Sequence, residues 1–90
     1  MKRRVVVTGI GCVTPLGNSA RETWRGVKSG ESGVSRLEGN EFDRSPVKTG
    51  APVRNYSPPR GLEEADPFIQ YAVSASEEAL ADSGLDVAGI

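Results

Sequence analysis

The sequence predicts an α/β fold, and three observations carry that expectation. A β-branched apolar run, Val5-Val6-Val7 with Thr8 and Ile10 after it, has the makeup of a strand covered on both faces, as in a parallel sheet. A short amphipathic helix is expected over about 19–29. A longer, alanine-rich one is expected over about 67–83, between an Asp66-Pro67 start and a Gly84 stop.

The strand is expected over about 3–13. Gly9-Ile10-Gly11 within it imitates the first two glycines of a dinucleotide-binding fingerprint. That fingerprint wants a third glycine at position 14 and a helix starting there, with its N–H groups on a pyrophosphate. Position 14 is Thr, and Pro15 after it restricts Thr14 to extended geometry. The first caps available are Asn18 and Ser19, with Glu22 completing a Ser19-x-x-Glu22 box. The helix starts too late to hold a phosphate, so a nucleotide-binding fragment is the weakest reading.

In the first helix Ala20, Trp24 and Val27 make one apolar stripe, and Gly30 suits the stop. Trp24 is expected to cover the strand. From 31 to 65 no period holds, and glycines and prolines punctuate the chain. So long an irregular stretch reads as an arm packing on something else. Within it, 49–53 could form one short extended segment, held to a sheet edge by Pro52. In the second helix Phe68, Ala72, Ala75 and Ala79 line one stripe, with Ile69, Val73 and Leu80 beside it. That helix is expected to be largely buried, with Glu77 and Glu78 on its wet side. Gly84 and Leu85 should close it in a Schellman-type ending.

Composition narrows the function classes. The chain has 90 residues, 37% of them hydrophobic, and a net charge of −1, which gives no basic footprint for nucleic acid or an acidic membrane. No apolar run is long enough for a transmembrane span or a signal peptide, so a cytoplasmic protein is expected. One cysteine and no histidine leave no Cys-His or Ser-His pair and no imidazole metal ligand. Cys12 is the only thiol, and it reads first as a small apolar residue packed near the strand end. No catalytic, cofactor-binding or metal-binding residue is assigned, and no cofactor is expected. A lone strand cannot satisfy its backbone in a buried sheet, so the elements read as the beginning of a larger α/β protein.

The opening residues, Val5-Val6-Val7-Thr8-Gly9-Ile10-Gly11 and then Thr14-Pro15-Leu16-Gly17-Asn18, resemble the start of elongating β-ketoacyl-acyl-carrier-protein synthases. Thr23-Trp24, Ser29-Gly30-Glu31-Ser32-Gly33-Val34, Phe42-Asp43, Asp66-Pro67-Phe68-Ile69-Gln70-Tyr71-Ala72 and Ala79-Leu80-Ala81-Asp82-Ser83-Gly84-Leu85-Asp86 agree in order and spacing. The resemblance implies the beginning of a thiolase-like fold: two similar α/β halves in five layers, usually dimeric. It implies decarboxylative condensation of an acyl thioester with malonyl held on acyl carrier protein. The family's acyl-bearing cysteine and two histidines fall beyond position 90, and Cys12 does not match the nucleophile's motif.

In that family a basic pair often precedes the Asp-x-Phe-Ile-Gln-Tyr helix, on a surface that meets the acidic carrier. Here Glu63 and Glu64 occupy those positions, and Arg60 is the basic residue nearby. The acids favour the helix N-terminus through its dipole, or else the carrier docks elsewhere or belongs to a specialised pathway such as polyketide assembly. Two further readings remain beside an active synthase. One is a non-catalytic partner subunit of a ketosynthase heterodimer, resembling a chain-length factor. The other is a free-standing interaction protein, which the missing second strand opposes.

Overall fold

A computed structural model describes residues 2–89. Its regular elements are helix α1 (Ala20–Lys28), strand β1 (Ser35–Arg36), strand β2 (Thr49–Gly50) and helix α2 (Pro67–Ser83), with 3-10 turns at Asn40–Phe42 and Val87–Gly89. β1 and β2 pair antiparallel, Ser35 opposite Gly50 and Arg36 opposite Thr49.

Local chemistry sets both helices. At α1 the Ser19 hydroxyl accepts from Glu22 N–H at 3.1 Å, the first half of the expected box. The return bond is displaced by one residue: Glu22 Oε2 accepts from Asn18 N–H at 2.8 Å. Gly30, at φ 75°, closes the helix, donating to Val27 O while Glu31 N–H reaches back to Gly26 O. Those two bonds are a complete Schellman ending. At α2 Asp66 Oδ1 accepts from Phe68 N–H, and Pro67 stands at the first helical position. Gly84 takes the left-handed conformation there, but Leu85 N–H donates to the Ser83 hydroxyl.

The opening run differs from the expected buried strand. No ladder bond forms over 2–13 among the described residues, and Val5 is 94% exposed. The physical reason is the lack of a neighbour: an extended run satisfies its N–H and C=O groups only beside another chain segment. The run ends in a tight turn, where Thr14 and Gly17 exchange both backbone bonds across Pro15-Leu16.

The arm over 31–65 folds back onto the rest of the chain. Lys48 donates to the carbonyls of Phe42 and Asp43, closing the first 3-10 turn. Arg54 donates to the carbonyls of Pro15 and Gly33 and to the Ser35 hydroxyl, joining the turn to the arm. Tyr56 packs edge-on against Tyr71, ring centres 4.9 Å apart, and its hydroxyl donates to Gln70 O on α2. The extended segment expected over 49–53 pairs only at Thr49–Gly50.

No described apolar residue is buried. Trp24 is 60% exposed and Phe68 69%, so the α1 stripe at Trp24 and Val27 and the first turns of the α2 stripe lack the expected cover, while Ala75 and Ala79 are half-buried. The radius of gyration is 16.9 Å, against about 12 Å for a compact chain of this length. With few partners in reach, these side chains keep their water-facing area.

Candidate functional site

The Gly9-x-Gly11 pair lies directly on α2. A Cβ on Gly9 would overlap the carbonyl oxygen of Ala79, and one on Gly11 would overlap that of Ala75. The next atoms are backbone too, at 2.8 Å: Ser83 N for Gly9 and Ala79 N for Gly11. Alternate residues of an extended run meet positions four apart on one helical stripe, so two glycines oppose two alanines. Glycine is required here because another backbone comes within contact distance.

Two carboxylates of α2 complete this seam. Asp82 Oδ2 accepts from Ile10 N–H at 3.0 Å, and Glu78 Oε1 from Cys12 N–H at 3.0 Å. Glu78 also accepts from Ala20 N–H, 2.9 Å from Oε2, at the first residue of α1. An anion at a helix N-terminus is stabilised by the free N–H groups and by the helix dipole. The position an external phosphate would need at α1 is thus taken by a carboxylate of the same chain. This corrects the expected wet-side placement of Glu78, which is half-buried; Glu77 is exposed. The pairings span 58 to 72 residues of sequence, and no local pattern announces them.

Cys12 is half-buried, with its sulfur 3.5 Å from the Thr23 hydroxyl. Thr23 in turn shares a hydrogen bond of 2.9 Å with Thr14. These partners give a thiol no base, only a polar seat between the run and α1. No group of three or more His, Cys, Asp or Glu side chains is arranged to hold a metal among the described residues.

A cleft of about 410 Å³ opens between the turn, α1 and the arm, lined by Asn18, Glu22, Arg25, Glu31, Arg54 and Asn55 among others. Several of its polar groups are committed to the fold: Glu22 to Asn18 N–H, Asn18 Nδ2 to Asn55 O, and Arg54 to its three acceptors. Asn18 Oδ1 is buried without a partner. Nothing in the sequence pattern marks Gln70, the one buried polar side chain among the described residues, at 8% exposure. Its Nε2 donates to the carbonyls of Leu62 and Glu63, tying the segment before α2 to the helix. Glu63 and Glu64 are exposed on that segment.

The described residues therefore meet along a seam between the opening run and α2. Comparison with known sequences identifies the family. The β-ketoacyl synthase N-terminal domain matches residues 2–89, and the chain belongs to that family. It is 38% identical to 3-oxoacyl-[acyl-carrier-protein] synthase 2 of Vibrio cholerae, over 96% of this chain and 22% of that protein. It is 35% identical to the protein of the same name from Coxiella burnetii, with the same coverage. A relative from Streptomyces coelicolor, actinorhodin polyketide putative β-ketoacyl synthase 1, is 39% identical over 96% of this chain and 20% of its own length. The chain thus spans about a fifth of the length of these curated relatives. No described helix is long and apolar enough to cross a membrane.

Proposed function

We propose that this chain is the N-terminal part of a β-ketoacyl-acyl-carrier-protein synthase of thiolase-like fold, acting in fatty-acid or polyketide synthesis. The observation that carries this reading is the family match along residues 2–89, with relatives named as synthases of both pathways. Those names favour an active synthase over a non-catalytic partner subunit. In the reaction an acyl group is held as a thioester on a cysteine. Malonyl on the carrier loses carbon dioxide, and the resulting enolate carbon attacks the thioester carbonyl. A carbon–carbon bond forms, the enzyme thiolate leaves, and positioned donors stabilise the oxyanion on the way. The nucleophile and two histidines come from outside these 90 residues.

In this reading residues 3–13 are a strand of the central sheet, and α1 and α2 are its covering layer. The uncovered faces of Val5, Val6, Val7 and Phe68 support that role, since each would gain roughly 1.5–3 kcal/mol on full burial. A dimer, with itself or with a second synthase-like subunit, and a cytoplasmic setting belong to the same proposal. The acidic carrier docks away from Glu63 and Glu64, because like charges slow encounter and cost affinity.

The test is to give the intact protein an acyl-carrier thioester and malonyl-carrier, and to follow the product by mass spectrometry. A β-ketoacyl-carrier and an acyl-enzyme on a cysteine other than Cys12 are expected. Absence of both with carriers of the fatty-acid and the polyketide type would overturn the reading.

A further inference from the structure

The alternation along the opening run brings one of its faces and one of its edges onto α2. Gly9 and Gly11 meet α2 with one face, while the N–H groups of Ile10 and Cys12 meet carboxylates of the same helix. A period of two in both sets is what an extended chain gives. In such a chain the backbone groups of Arg4, Val6, Thr8, Ile10 and Cys12 point to one edge. Among the described residues Arg4, Val6 and Thr8 carry no ladder bond, whereas Ile10 and Cys12 donate to Asp82 and Glu78.

We infer that Asp82 and Glu78 are stops on this edge: they end strand pairing at Thr8. A strand added along the edge needs the N–H groups of successive alternate residues. It can take those of Arg4, Val6 and Thr8, then meets donors already bound to carboxylates. Displacing either carboxylate would strip a charge of its backbone partner, and Glu78 would also have to release Ala20 N–H at the start of α1. A backbone carbonyl offered in exchange is the weaker acceptor. Charged side chains turned toward an edge are a known means of limiting strand addition, and here they fix its register. The stop concerns pairing only, and it holds whatever reaction the assembled protein performs.

Amide hydrogen exchange on the intact protein tests this inference, comparing wild type with Asp82→Ala and Asp82→Asn. In wild type the Ile10 amide is protected. In Asp82→Ala it exchanges roughly ten- to a hundredfold faster, while amides in the middle of α2 keep their protection. Asp82→Asn keeps an acceptor and restores most of the protection. A direct readout needs no variant: scalar coupling through the hydrogen bond should link the Ile10 amide nitrogen to the Asp82 carboxyl carbon. Coupling of that amide to a backbone carbonyl, or unchanged protection in Asp82→Ala, would show a ladder running past Thr8 and overturn the inference. Free exchange of Ile10 in wild type would overturn it equally.

Discussion

A single methyl group on Gly11 probes the seam between the opening run and α2. In Gly11→Ala the new Cβ would overlap Ala75 O and lie 2.8 Å from Ala79 N. Both are backbone atoms of a helix, so no side-chain rotation relieves the clash. Ordinary contact begins near 3.4 Å, so clearing Ala79 N alone takes about 0.6 Å of separation between the two backbones, and clearing Ala75 O takes more. Glu78 can follow Cys12 N–H through that movement only by loosening its hold on Ala20 N–H. Overpacking of this kind costs about 1–3 kcal/mol, and a strained hydrogen bond to a charged group adds about 1. Loss of glycine's freedom in the unfolded chain returns about 0.4–1 kcal/mol. The net destabilisation expected is about 1–3.5 kcal/mol, read as a lower urea midpoint at unchanged slope in the intact protein. Ala75→Gly added to Gly11→Ala should not rescue it, because the obstacle is the Ala75 carbonyl and not its methyl. A Gly11→Ala protein as stable as wild type, or more stable, would refute the close-approach account.

Three further outcomes follow from the same contacts. Gln70→Leu leaves the Leu62 and Glu63 carbonyls without their donor; it should cost about 1–3 kcal/mol and speed cleavage by a glutamate-specific protease after Glu63 and Glu64. Arg54→Lys keeps the charge but not the fork that reaches Pro15, Gly33 and Ser35, so trypsin should nick the arm at Arg36 and Arg44 several times faster than in wild type. Ser19→Ala removes the cap of α1 and should lower stability by about 1 kcal/mol, while Ser19→Asp should restore it, both read by urea unfolding.

Legibility in the sequence followed the range of the interaction. Ser19, Gly30, Asp66 and Pro67 act within a few residues of themselves, so α1 and α2 could be bounded from their caps. Gly9 and Gly11 were visible as a pair, but a pattern of glycines does not say whether a ligand, a turn or another backbone needs the space. Ala75 and Ala79 hold that answer, and they lie more than sixty residues away. Glu78 was misplaced for the same reason: the periodicity of α2 puts it outside the apolar stripe, and its partners Cys12 and Ala20 are nowhere near it in sequence. Trp24 and Phe68 failed differently. Their stripes were read correctly as apolar, but an apolar stripe names a need for cover and not the presence of a cover. The proposed reaction assigns its nucleophile and histidines to positions outside these 90 residues, so this segment offered no catalytic pattern to read.

The proposed function puts none of the condensing chemistry on these 90 residues, and Cys12→Ser tests that most directly. Serine preserves the size of the side chain and can keep the contact with Thr23. Acyl-enzyme formation and β-ketoacyl production by the intact Cys12→Ser protein should match wild type. Loss of acylation in that variant, with the fold retained, would place the nucleophile at Cys12 and contradict the proposed function.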